Sequence, residues 1–164
     1  DHMGMLATVI NSLAIQDAFE RADIDARVMT AVPIEAFAEF YSRNKAVSHL
    51  NRGKVTIFGC GMGNPFFSTD TAAVLRGAEI GADVVLMAKN IDAIYTDDPR
   101  KNPDAKKLSE VDYDYILKNH LSAIDTCAAS FAMDNHMKLH IFGLDDSENI
   151  YRVIMGEKIG TIVD

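Results

Sequence analysis

The chain has no tryptophan, four prolines and two cysteines in 164 residues. Cys60 and Cys127 are too few for a disulfide framework and have no metal-ligand spacing, so they read as reduced thiols of a cytoplasmic protein. No apolar run reaches the length of a membrane span, and the first residues lack a signal-peptide pattern. Positive charge is also scarce, with 16 Lys and Arg against 24 Asp and Glu and a formal net charge of -8. That balance argues against nucleic acid or an anionic membrane as partner, since both are held by clustered cations. Repeats and low-complexity tracts are absent. What remains, 48% hydrophobic and 24% charged residues, is ordinary for one globular domain over 1–164. An acidic chain that binds phosphates must rely on helix N-termini, magnesium and a few placed cations.

The most informative stretch runs from Gly59 to Asp70, directly after the apolar run Val55-Thr56-Ile57-Phe58. Gly59, Gly61 and Gly63 leave backbone N–H groups bare and open to close approach, because no Cβ stands in the way. Ser68, Thr69 and Asp70 are good N-cap residues, and the residues from Ala72 to Ile80 recur at helical spacing. Strand, glycine turn and helix N-terminus together make an anion site, or else only a tight strand-to-helix connection. The insertion Asn64-Pro65-Phe66-Phe67 favours the first, because adjacent aromatics beside phosphate-binding N–H groups suit a nucleobase.

Met3 to Arg21 has the spacing of a long helix, with Leu6, Ile10, Leu13, Ala14, Asp17 and Ala18 on the face expected to pack on a sheet. The same pattern suits a subunit contact. A strand over 27–32 closed by Pro33, short helices over 34–40 and 43–50, and the strand from Val55 follow. The helix over 71–80 leads to 83–88, apolar enough for a parallel strand covered on both faces. Residues 90–107 are loop chemistry around a lone Tyr95. Helices over 112–118 and 123–135, a strand over 138–144, a helix over 149–156 and a strand over 161–163 complete an α/β chain with a mostly parallel sheet between helical layers, a three-layer sandwich. His49, His120 and His136, near helix ends, read as surface or capping residues. Ligands of such a sheet bind beyond the carboxyl ends of the strands, where the turn at 61–70, the loop after Ala88 and the turn Gly143-Leu144-Asp145 all lie.

Residues 61–73, GMGNPFFSTDTAA, closely resemble the nucleotide-binding signature of the bacterial uridylate kinases, the UMP kinases of the amino-acid-kinase superfamily. Asp1 to Thr8, Ala82 to Asn90 with Tyr95 to Pro99, and Met155 to Thr161 agree with the same family in the same order. Members normally carry an N-terminal third ahead of the segment matching Asp1, holding a phosphate-binding lysine and a second glycine loop. The resemblance implies transfer of the γ-phosphoryl of ATP to UMP, giving UDP and ADP in pyrimidine nucleotide biosynthesis, with Mg2+ accompanying ATP. It places UMP on Asp1, Met62, Gly63, Asn64, Pro65, Phe66, Phe67, Ser68 and Thr69. Met62 stands where many relatives carry Thr.

The resemblance also places ATP on Lys89, Asn90, Tyr95 and Asp98, with Tyr95 as the stacking surface for the purine. Read from the residues alone, Asp97-Asp98-Pro99 is equally an acidic turn and Tyr95 a loop anchor. Asp125 matches a catalytic Asp near the transferring phosphate, and it is equally placed to cap the helix that follows. Further implications are a hexameric homo-oligomer, GTP as activator, UTP as inhibitor, and severely impaired turnover by these 164 residues alone. The competing class is a nucleotide-binding storage or regulatory module on the same fold. Kinases of aspartate, glutamate or carbamate have no use for the Asn-Pro-Phe-Phe segment.

Overall fold

The long amphipathic stretch forms α1 (His2–Arg21), but it turns a different face to the sheet than its apolar spacing suggests. In the computed structural model, which describes residues 1–164, the chain divides into two compact units, Asp1–Ala72 and Ala73–Asp164. In the first unit, α1 packs on β1 (Ala26–Thr30) and on β3 (Val55–Gly59). A Cβ on Gly59 would lie 3.1 Å from Ser12 Oγ and 3.6 Å from Val9 Cα, so helix and strand are in close approach there. The residues of α1 that become buried are therefore Val9 and the small Ser12, whose hydroxyl donates to the Thr8 carbonyl at 2.7 Å. Leu6 and Ile10, expected on the packed face, are left 53% and 69% exposed.

The helix expected over 34–40 does not form. The chain turns instead, with the Phe37 and Ala38 N–H groups donating to the Ile34 carbonyl at 3.0 and 3.1 Å, and then enters β2 (Glu39–Phe40). A helix so short has little stability of its own, whereas pairing beside Met29 and Thr30 satisfies the outer edge of β1. The sheet order is β2-β1-β3, with every neighbour parallel. Between β2 and β3 comes α2 (Arg43–Leu50), capped by Ser42. His49, near its end, has Nε2 3.0 Å from Glu39 Oε1 and a side chain only 14% exposed. It is a half-buried polar partner, not the surface residue its position suggested.

Helix α3 (Thr69–Ile80) opens in the first unit and ends in the second. There the order is β4 (Val85–Lys89), β5 (Ile94–Tyr95), β6 (Lys107–Leu108), β7 (Glu110–Val111), α4 (Tyr113–Lys118), α5 (Thr126–Asp134), β8 (Leu139–Gly143), α6 (Glu148–Ile154) and β9 (Thr161–Val163). The larger sheet runs β4-β8-β9-β7, parallel except where β8 meets β9, and β5 pairs antiparallel with β6. Strand β4 is not covered on both faces: Met87 is buried, but Leu86 and Ala88 are exposed. Ala128, Ala129 and Ala132 bring α5 close to Leu139, Ile141 and Val163, and this cluster is the core of the unit.

Two buried hydrogen-bond systems hold the loops on that core. The Thr161 hydroxyl accepts the Ile94 N–H at 2.8 Å and donates to the Leu108 carbonyl at 2.5 Å, tying both β5 and β6 to β9. Tyr113 donates its phenolic proton to the Met137 carbonyl at 2.6 Å. Burial, and secondarily the Asp164 carboxylate, push its ionisation far above the ordinary tyrosine range. His120 and His136 follow α4 and α5 with φ of 50° and 51°, the left-handed position beyond a helix end that more often holds glycine. No helix is long and apolar enough to cross a membrane.

Candidate functional site

Each unit carries a loop cluster of its own. In the first, β3 ends at Gly59 and the chain enters a turn in which Cys60, Gly61, Gly63 and Phe66 all have positive φ. Gly63 is required there twice over. Its φ is 76°, and a Cβ would stand 2.9 Å from the Ala31 carbonyl oxygen, which is backbone and cannot swing away. The Gly63 N–H donates to the Cys60 carbonyl at 2.9 Å, and the Cys60 N–H donates to Thr8 Oγ1 at 2.8 Å, so the turn is anchored to α1. The Cys60 thiol is buried, and that burial pushes its ionisation up, which makes it a packing group and not a nucleophile.

Beyond the turn the Phe66 N–H donates to Asp1 Oδ2 at 2.7 Å. Phe66 is 97% exposed and Phe67 52% exposed. Ser68 Oγ then accepts the Thr71 N–H at 3.0 Å, while its carbonyl accepts that of Ala72 at 3.2 Å, and α3 begins. The structure thus joins Asp1, first in the chain, to the loop that carries Met62, Gly63, Asn64, Pro65, Phe66, Phe67, Ser68 and Thr69. The N–H groups of Cys60, Gly63 and Phe66 are taken up within the chain, and the loop leads into the N-terminus of α3, the part of such a turn that attracts anions.

The second cluster is a cavity of about 670 Å³ within the second unit, in the range of small-molecule sites. Lys89, Asn90, Tyr95 and Asp98 all line it, so the structure brings together the residues that the sequence assigned to one ligand. Lys89 closes the end of β4, its Nζ donating to the Ala123 carbonyl at 2.7 Å. Residues 97–102 form a self-bonded turn: Asp97 accepts the Asp98 N–H at 2.8 Å and the Asn102 amide at 3.0 Å. Asp98 accepts the Arg100 N–H at 3.0 Å and its Nε at 3.2 Å. Those bonds, the backbone one first, hold the Asp98 carboxyl below the ordinary carboxylate range, and the Asn102 amide does the same for Asp97. The acidic-turn reading of 97–99 is therefore correct as local structure, and the turn also lines the cavity.

Asp125 is the N-cap of α5, accepting the Ala128 N–H at 2.9 Å, and it is not among the residues lining the cavity. Sequence reasoning anticipated the Gly143-Leu144-Asp145 turn at this edge but missed residues 119–123, which form another wall. They form the connection between α4 and α5, two helices that pack on each other. Asp92 was also missed as a site residue. It lines the cavity and accepts the Tyr95 hydroxyl at 3.0 Å, a pairing suggested only by the three-residue spacing.

Comparison with known proteins bears on the fold and the family. The family described as "Amino acid kinase family" matches residues 1–143. The structure of UMP kinase from Bacillus anthracis is 35% identical and superposes with a TM-score of 0.93, covering 99% of this chain and 67% of that one. UMP kinase from Ureaplasma parvum is 32% identical with a TM-score of 0.93, over 99% of this chain and 70% of its own. Uridylate kinase from Archaeoglobus fulgidus is 27% identical with a TM-score of 0.61, over 73% of this chain and 57% of its own.

Proposed function

The chain belongs to the amino acid kinase family, and we propose that its activity is that of a UMP kinase, moving the γ-phosphoryl of ATP to a phosphate oxygen of UMP. The observation that supports this reading most is the loop at 60–69. Its strained backbone, held between Thr8 and Asp1, runs into the N-terminus of α3 and presents the Phe66 ring to solvent. A nucleoside monophosphate needs both of these surfaces. In this reading Gly63 to Thr69 bind the acceptor phosphate and base, and Asp1 orders the loop through the Phe66 N–H. Lys89, Asn90, Tyr95 and Asp98 bind ATP in the second unit.

Phosphoryl transfer asks for little covalent chemistry from a protein. The acceptor oxygen bonds to the γ-phosphorus as the bond to the β-phosphate oxygen breaks, and the spreading charge is met by cations and N–H donors. No three His, Cys, Asp or Glu side chains converge anywhere in the chain, so Mg2+ would be held chiefly by the nucleotide phosphates. Asp125 belongs to the proposal as a group near the transferred phosphate. Hexameric assembly, activation by GTP and inhibition by UTP belong to it as well, as does impaired turnover by these residues alone.

The melting temperature with saturating UMP, with CMP and without ligand tests the acceptor assignment, since a ligand at 100 times its dissociation constant adds about 2.7 kcal/mol to the native state. The expected result is a rise with UMP and little with CMP; no rise with UMP sinks the assignment. UDP formation from ATP tests the reaction. Binding of both nucleotides with no product, even with the N-terminal part that family members carry restored, would favour the storage or regulatory module instead. Asp125→Asn, which keeps a capping oxygen, is expected to leave stability nearly intact while lowering kcat at least about tenfold.

A further inference from the structure

We propose that Asp92 and Lys107 are positioning residues for the nucleotide cavity, holding the Tyr95 ring as a fixed wall against which the base of ATP stacks. The inference rests on the ATP assignment made above and adds to it the device that orients its aromatic surface.

The geometry begins with strand register. Tyr95 of β5 stands directly opposite Lys107 of β6 in an antiparallel pair, so their side chains leave the ribbon on the same face. Asp92 lies three residues before Tyr95, in the turn leading out of β4. Its carboxylate accepts the Tyr95 hydroxyl at 3.0 Å through Oδ1 and at 3.3 Å through Oδ2. Lys107 Nζ donates to the same Oδ2 at 3.0 Å. The carboxylate therefore bridges a phenol and an ammonium that arrive from two strands, and each bond restricts the other.

An unrestrained tyrosine on a two-residue strand turns freely about its side-chain bonds, and a stacked base would have to order it on binding. A ring already held at its hydroxyl loses less freedom when the ligand arrives. The bridge is itself firmly placed at the backbone. The Ile94 N–H is bound by buried Thr161, and the Asp92 Cα would stand 3.1 Å from a Cβ on Gly143, the last residue of β8. Burial alone would raise the Asp92 carboxyl, but the bonds from Lys107 and then Tyr95 bring it below the ordinary range, while the bond to Asp92 raises the phenol. Asp92 stays a carboxylate and Tyr95 a donor at neutral pH.

The test measures binding of a fluorescent adenine nucleotide, methylanthraniloyl-ATP, to the full chain, with inorganic tripolyphosphate as a base-free competitor. Asp92→Ala is expected to weaken the nucleotide about fivefold and Lys107→Met about twofold, as suits half-exposed charge-assisted bonds. The inhibition constant of tripolyphosphate should be the same for all of them, because the wall reads only the base. In a Tyr95→Phe background, which keeps the ring and removes the hydroxyl, Asp92→Ala should have almost no further effect. A merely structural Asp92 would weaken tripolyphosphate as much as nucleotide and would cost the same in both backgrounds; either result overturns the proposal, as does unchanged nucleotide affinity in Asp92→Ala. If the unsubstituted chain binds tripolyphosphate but gains nothing from the adenine nucleoside, the ATP assignment fails and this inference fails with it.

Discussion

The loop at 60–69 and the cavity beside β4 are built from opposite materials. The first is a backbone site, shaped by residues with positive φ that lead into a helix N-terminus, and its aromatic ring stands in solvent. The second is a side-chain site, walled by Tyr95, Lys89 and a self-bonded acidic turn on strands pinned to a buried core. A backbone site is encoded in consecutive residues and stores strain. A side-chain site is assembled from distant segments and stores little, so equivalent changes in the two should have unequal consequences.

The sharpest contrast is between two glycines. Gly63→Ala combines a left-handed backbone with a Cβ 2.9 Å from the Ala31 carbonyl oxygen. It is expected to destabilise the chain by about 2–4 kcal/mol in denaturant titration and to abolish any stabilisation by UMP. Gly143→Ala has no such backbone penalty, and its nearest neighbour at 2.6 Å is the Asp145 carboxylate, which can rotate, followed by Asp92 Cα at 3.1 Å. The same titration should give about 1–2 kcal/mol, with weaker ATP binding and unchanged UMP binding. Equal costs for the two would break the comparison.

Tyr113→Phe, in the core of the second unit, leaves the Met137 carbonyl without its donor and should cost about 1 kcal/mol without altering binding of either nucleotide. It should also change the response to alkali. Because the buried phenol is held neutral in the native chain, its stabilisation is complete below the ordinary tyrosine value of 10.0 and falls as pH rises above it, where the unfolded chain ionises first. Melting temperatures from pH 8 to 11 should drop more steeply for the unsubstituted chain than for Tyr113→Phe. The smallest change in stability is expected from Phe66→Gly. The ring is solvated and its φ is 71°, so glycine removes strain and should leave stability unchanged or raise it by up to about 1 kcal/mol. UMP binding should weaken even so, and calorimetric titration would show the two effects diverging.

The same contrast explains what could be read before folding. The strands ending near Gly59 and Gly143, the cap Asp125, and the loop at 61–69 all follow from neighbours in sequence. The helix expected over 34–40 failed because pairing at the edge of β1 outweighed a weak local preference. The packed face of α1 was misjudged because Gly59 admits Ser12, and a small satisfied hydroxyl lies closer to the sheet than Leu6 or Ile10 can. Asp92 and residues 119–123 gave no signal, since their roles depend on what stands across the cavity.

By itself the sequence determined most of the longer strands and helices, the glycine turn with its adjacent aromatics, and the resemblance that the family comparison supports. These are local facts, carried by spacing, by residues that tolerate positive φ and by cap chemistry. Tertiary structure alone decided which face of α1 is buried, which strands pair, and that Lys89, Tyr95 and Asp98 share a cavity with Leu121 and Asp145. Those outcomes depend on close approach and on hydrogen bonds between residues far apart in the chain, for which spacing along the sequence carries no information.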